Sequence, residues 1–405
     1  MAERNAKVLA ALGQRLDSTT QERIQGAAEA VCAAKEAGQK VAVVVGSGPN
    51  IHEGVTTLIA GMISVGLIDG ITTSSAVVAH EMAGSLERVH RVSAEAVGVP
   101  EEKRPLDNSV EASLMSDVLL EELKNEMVID EHYYARLLRL PGEDIIKAAG
   151  NLAYPLGLRT ERLARQAETL ARACGTTVEH VAGGGADPLT MIGAGAAREV
   201  PVVVSVPQLV GGGAVGLAIG DCISITERCA RVARLLEEAQ VIIESGIVLT
   251  QEIHDGPFEL HTGHGIWAAW DGQPTYSLAG KTVIRIDLDA NLEAAWRKER
   301  EGALVAEAIA KGLPKTKVTG IPFRMEMSGF CRLPGSLPIV GDLGTVWPLL
   351  ADKVSQRLRV DLPFMSYPQE TPEGQAMREW IVENVRPVRR VQMVKAAQRL
   401  SGGGC

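Results

Sequence analysis

The chain is poor in aromatic residues, 3% of 405, and it has no C-x-x-C pair, no long apolar run and no block of basic charge. Six cysteines without paired spacing indicate neither a zinc cage nor a disulfide framework. Cys222 and Cys229, about two helical turns apart, are expected to be small core residues. No stretch reaches the length of a membrane-spanning helix, and the opening MAERNAKVLAALGQRLDSTTQERIQ is charged and helical in period rather than signal-like, so the cytoplasm is the expected location. The net charge of −9, with both signs mixed along the chain, argues against nucleic acid and anionic membrane as partners. Neither G-x-G-x-x-G nor G-x-x-x-x-G-K-[ST] occurs at the first glycine-rich loop.

What is present is an α/β composition, 46% hydrophobic with 42 glycines. VAVVVGSGPNIHEG, residues 41–54, reads as a buried parallel strand that stops at Gly46-Ser47-Gly48-Pro49. Gly46 and Gly48 allow a ligand close to the backbone, and Asn50, His52 and Glu53 offer polar groups where a helix should begin. A helix from about Val55 to Val65 and a second strand ending in Thr72-Thr73 complete a βαβ unit. Such a unit implies a parallel sheet whose ligands sit beyond the carboxyl ends of the strands.

Residues 1–38 read as an amphipathic helical arm, and 39–360 as one nucleotide-binding domain. The charged segment from about 100 to 145 reads as an inserted pair of helices, and 361–405 as an extension that is Pro-rich and then helical, with SGGGC expected to be disordered. Further strands are expected at Val178–Val181, Pro201–Val206, Val241–Val248, Thr282–Asp287 and Leu337–Val340.

The order of Asn50 to Gly54, Thr72-Thr73-Ser74-Ser75, His80-Glu81, Val200 to Asp221 and Ile339-Val340-Gly341-Asp342-Leu343 resembles deoxyhypusine synthase. Lys281 to Asp289, followed by Leu337 to Leu343, is similar to the NAD-dependent alternative ornithine cyclodeaminases, the lysine-oxoglutarate reductase/saccharopine dehydrogenase-like proteins. The same two tracts also resemble the central domain of thiamine diphosphate enzymes. The resemblance implies a Rossmann-type α/β fold, deoxyhypusine synthase-like, with NAD as cofactor. The departures are a His52-Glu53-Gly54 element where the synthases carry Ser-Gly, His80-Glu81 where they carry two carboxylates, and Gly280-Lys281 in place of Trp-Gly-Lys.

On these grounds Gly46, Gly48, Asn50, Gly54, Thr72, Thr73, Ser74, Ser75, Asp287, Asp289, Gly341 and Asp342 are the expected cofactor contacts. An ordinary capped βα turn is the alternative for the Asn50 loop, and helix N-capping for Asp287 and Asp289. His52, His80, Glu81, His261 and Lys281 are the candidates for catalysis, although Lys281 reads more readily as a charge opening a strand. Glu53, Asp221, His254, Asp255 and Glu259 are candidates for holding a substrate amine. His261 and His264 meet a metal spacing only loosely, and no metal is assigned. The expected chemistry is transient oxidation of an amine or amino acid to an imine, followed by cyclisation or deamination. An aminoalkyl transfer through Lys281 and a non-catalytic nucleotide-binding protein are the alternatives. The uncharged stretch QLVGGGAVGLAIG, residues 208–220, has to be buried inside the fold or between chains, and a homodimer or homotetramer is expected.

Overall fold

The computed structural model describes residues 4–150, 152–209, 211–246, 259–261, 265–287 and 335–402, with scattered positions between 291 and 320. Ten strands form two sheets: β1 (Lys40–Val45), β2 (Gly70–Thr73), β3 (Leu86–Ser93), β4 (Ser109–Ser113), β5 (Gly142–Ala148), β6 (Ala153–Tyr154), β7 (Val202–Val204), β8 (Ala239–Ser245), β9 (Thr282–Asp287) and β10 (Ser336–Val340). The larger sheet is parallel throughout, in the order β10-β9-β8-β1-β2-β7. This is the doubly wound Rossmann order, and it reverses direction between β1 and β8. β1 earns its central place by composition: every residue after Lys40 is buried, as a strand covered on both faces requires.

Helices Ala6–Gln14 and Ser18–Glu36 bury Leu9, Leu12, Ile24 and Val31 in the main core beside the helix Leu343–Leu358. The first of these, read as part of an arm, is therefore packed against the fold. Two other expectations are corrected. Val178–Val181 is not a strand but the start of a helix, Val178–Gly183, whose Thr177 hydroxyl accepts from the His180 N–H at 3.2 Å. An apolar run this short fits either period, and the Thr177 cap decides it. The segment around 100–145 does contain two helices, Asp117–Glu126 and Glu131–Arg139, but it also supplies β4 and β5 to the smaller sheet, ordered β5-β3-β4-β6. Those strands escaped notice because one face is charged. Glu111 on β4 takes Arg91 of β3 at 2.7 Å and Lys147 of β5 at 2.6 Å, which erases the hydrophobic alternation.

The free edge of β7 is closed by side chains. Glu179 Oε1 accepts from the Val204 N–H at 2.9 Å, and Arg228 Nη1 donates to the Val204 carbonyl at 3.1 Å and to Glu179 at 2.5 Å, both side chains fully buried. The pair occupies the place of a seventh strand. The apolar stretch at 208–220 is mostly covered by its own chain, since the helix Gly213–Cys222 buries Val215, Gly216, Ala218 and Ile219 and packs on the helix Leu156–Ala173. Leu209 and Leu217 stay exposed. No described helix is long and apolar enough to cross a membrane.

Candidate functional site

At the reversal point the loop after β1 meets the end of β8. Gly46 N–H donates to the Ser245 carbonyl at 3.2 Å, and Gly48 takes φ +74°, a backbone conformation open to glycine at little cost. Asn50 locks the two loops together. Its Nδ2 donates to the carbonyls of Gly46 and Ser245, each at 3.0 Å, its Oδ1 accepts from the Ser245 hydroxyl, and that hydroxyl accepts from Trp347 Nε1 at 2.7 Å. The expectation that Asn50 contacts a phosphate is corrected: its amide is consumed inside the loop, which it shapes. The N–H groups of Ser47 and Gly48, by contrast, make no hydrogen bond among the described residues, and nothing stands within 4 Å of where a Gly48 Cβ would be.

The hydroxyls after β2 are largely committed as well. Thr73 donates to the Val45 carbonyl at 2.8 Å, Ser74 caps the helix Ser75–Met82, and Ser75 both donates to and accepts from the backbone of Gln208. Thr72 Oγ1 is buried without a partner. Asp342, expected to meet adenine, is the N-cap of the helix Leu343–Leu358, accepting from Thr345 N–H at 3.0 Å. Above it lies Glu53, buried and accepting from the Gln369 N–H at 2.7 Å. A Cβ on Gly344 would fall within 3.0 Å of Asp342 Oδ2 and closer still to Glu53, so a glycine there is what lets the two carboxyl groups converge. Gly54 and Gly341 flank this pair in sequence.

The two histidines are near enough for charge on His80 to act on His52. His52 ends the short helix Pro49–His52, and His80 lies near the end of the helix Ser75–Met82. His80 Nδ1 lies 2.6 Å from the Ala149 carbonyl. A carbonyl only accepts, so Nδ1 carries the proton and Nε2 is left with its lone pair. Burial lowers the pKa of both rings, assisted at His52 by Arg378, His80 and Lys147 and at His80 by Lys147, so both are neutral at pH 7.

Glu81 is elsewhere. It is fully buried and accepts from the N–H groups of Met191 and Ile192 at 2.7 and 3.0 Å, which corrects its assignment to catalysis: it caps the helix Met191–Arg198. Lys281 sits at the amino end of β9, donating to the carbonyls of Glu237 and Ala239 at 2.7 Å. The strand carries it roughly 20 Å from the carboxyl edge, which corrects its candidacy as the residue that forms an imine. Asp221 is on the exposed end of the helix Gly213–Cys222, 3.5 Å from Arg165, and does not join the histidines. Glu259 is buried and tied to the N–H groups of His261 and Leu278, an anchor for its loop, while His261 is exposed. Asp287 ends β9 opposite Val340. Its side chain, with His254, Asp255, His264 and Asp289, lies outside the described residues.

Three features had no forecast. Trp347 and Ser245 complete the Asn50 lock, the charge of Arg378 acts on His52, and Glu244 pairs with Arg285 at 2.5 Å across β8 and β9 with both side chains buried. A charge inside an apolar strand, as in VIIES and TVIRID, was the available signal for the last of these.

Burial raises Glu53, Glu81 and Glu87 each to about 7. Between pH 4.5 and 7 the folded chain holds protons that the unfolded chain has released, so these groups favour folding increasingly as the pH falls across that window, and their contribution is lost as it rises through 7. The urea midpoint is expected to be higher at pH 5.5 than at pH 7.5. A midpoint that climbs steadily with pH over this range would show that these carboxyls are not held protonated.

No protein-family model matches the chain, and no curated protein matches it by sequence. Among solved structures it is similar to a LOR/SDH protein from Methanococcus maripaludis S2, at 12% identity and a TM-score of 0.37, covering 89% of this chain and 70% of that one. It is also similar to ArgZ, an arginine dihydrolase from the ornithine-ammonia cycle in cyanobacteria, at 11% identity and a TM-score of 0.37 over 89% of this chain and 33% of that chain. AgrE, solved with ornithine and NAD+, is similar at 14% identity and a TM-score of 0.38, over 84% of this chain and 34% of that one. The chain thus spans about a third of the length of ArgZ and AgrE. Likenesses this distant transfer neither activity nor ligand.

Proposed function

We propose that this chain is an NAD-dependent enzyme that oxidises an amine or amino acid transiently to an imine, which cyclisation or loss of ammonia then resolves. The observation that carries the reading is the reversal of strand order between β1 and β8, with two unbonded N–H groups at Ser47 and Gly48 on the loop at that point. Open α/β sheets bind their ligands there, and paired loop N–H groups suit a diphosphate. The fit is good on this structure: the Asn50 lock presets the loop, and no side chain among the described residues fills the space over Gly48. Ser47 and Gly48 would hold the dinucleotide. When bound, it supplies a hydride acceptor.

The chain's own part follows from the histidines. His80 is fixed by the Ala149 carbonyl with Nε2 unprotonated, and it takes a proton from the substrate ammonium, since only the free amine can give up hydride from its carbon. His52, also neutral, stands beside it without adding a competing positive charge. Calorimetry with NAD and NADH is the direct test. Affinity in the micromolar range is expected, with NAD affinity lost when Gly48 is replaced by a bulky β-branched residue. Protein with no affinity for either nucleotide would eliminate this reading.

A further inference from the structure

Of the two residues that β7 turns to its free side, the Glu179–Arg228 pair serves only one. The Ile71 N–H donates to the Pro201 carbonyl at 2.9 Å and the Ser205 N–H to the Thr73 carbonyl at 3.2 Å. Positions 201, 203 and 205 therefore bond to β2, and Val202 and Val204 point their N–H and C=O groups the other way. Val204 is satisfied by Glu179 and Arg228, whereas the N–H and carbonyl of Val202 have no hydrogen-bond partner on that side among the described residues. Val202 lines a cavity of about 300 Å³, to which Ile192, Val200 and Leu235 give an apolar lining.

The helix Ile225–Glu238 brings Arg231 and Arg234, about one turn apart, to the same cavity. Both guanidiniums lean on one oxygen of Glu227, at 2.8 Å from Arg231 and 3.6 Å from Arg234. One carboxylate does not balance two such charges, and neither arginine has another ion pair among the described residues. The carboxylates that line the cavity are matched elsewhere, Glu179 by Arg228 and Glu238 by Lys40. The cavity thus offers a strand edge with an unmet donor and an unmet acceptor beside a surplus of positive charge. An extended chain meets such an edge by exchanging the N–H and C=O of a single residue, and its next residue lies about 3.4 Å further on. A carboxylate there suits the planar forks of the arginines. We propose that the cavity takes the carboxyl-terminal end of a peptide, its penultimate residue paired with Val202 and its terminal carboxylate held by Arg231 and Arg234. This site shares no residue with the one described above and does not depend on the dinucleotide reading.

Acetyl-Gly-Ser-Val-Val with a free carboxylate, titrated into the full chain by calorimetry, is expected to bind at least about tenfold more tightly than the same peptide ending in an amide. Arg231→Met together with Arg234→Met is expected to weaken the acid by roughly 10- to 100-fold, as loss of charge-assisted hydrogen bonds does, and to leave the amide unchanged. Arg234→Met alone, at the more exposed of the two positions, should show part of that loss and carries the test if the double variant does not fold. A methyl group on the penultimate peptide nitrogen removes the donor to the Val202 carbonyl and should weaken the acid by roughly tenfold. The proposal is overturned if wild-type protein binds neither peptide or both alike, if the arginine variants keep the full preference, or if the N-methyl peptide binds as well as its parent. It is overturned too if acetylvaline binds as tightly as the tetrapeptide, which would make the cavity a site for small carboxylates only.

Discussion

Replacing His80 with asparagine is expected to lower turnover by about 10²- to 10⁴-fold, the range that a positioned general base contributes. Asparagine is chosen because its amide N–H can still reach the Ala149 carbonyl that His80 Nδ1 contacts at 2.6 Å, so the local scaffold survives while the base at Nε2 is removed. NAD affinity should not change, since the loop of Ser47 and Gly48 does not depend on this ring. The pH profile gives a second readout. Burial lowers the His80 pKa below its ordinary 6.5, so in the wild-type protein activity should fall on acidification through a pKa under 6.5, where Nε2 becomes protonated. That limb should disappear in the variant. Activity within fivefold of wild type, with the acidic limb intact, would remove His80 from the chemistry.

The second large effect concerns the edge of the sheet. Arg228→Met is expected to destabilise the chain by about 3–5 kcal/mol, because it leaves the Glu179 carboxylate buried with its charge uncompensated. The substitution also strips the Val204 and Ile219 carbonyls of their donors, at 3.1 and 2.7 Å. Chemical denaturation measures this directly. Adding Glu179→Leu to the methionine variant should recover part of the loss, since the doubly apolar site no longer holds an unpaired charge, although the Val204 N–H then goes without an acceptor. A loss below about 1 kcal/mol in the single variant would mean that the pair is not what protects β7.

Much of the parallel sheet could be read from residue patterns alone. The run at 41–45 is buried on both faces, so apolarity without alternation identified it, and Gly46-Ser47-Gly48-Pro49 marked where it stops. His52 and Glu53 lie beside the glycine-rich loop because they follow it within a few residues, where the chain has no freedom to carry them away. The readings that failed concern residues whose role depends on partners far along the chain. Glu81 looks like a site carboxylate until the helix at 191 is laid across it, and Lys281 looks like a site lysine until the parallel arrangement puts its strand's start at the wrong edge.

Burial pattern and turn chemistry, which are properties of neighbouring residues, were thus enough to announce a parallel sheet with a glycine-rich loop at its carboxyl edge. Only the tertiary structure decided which polar groups are spent: it used up Asn50 on Ser245, 195 positions away, and tied Arg378 to the Ile146 carbonyl, 232 positions away. The reason is physical. Hydrophobic periodicity reports how a side chain meets the interior as a whole, whereas a hydrogen bond or ion pair is settled by one particular partner within about 3 Å, and the chain's local pattern holds no record of which distant residue that will be.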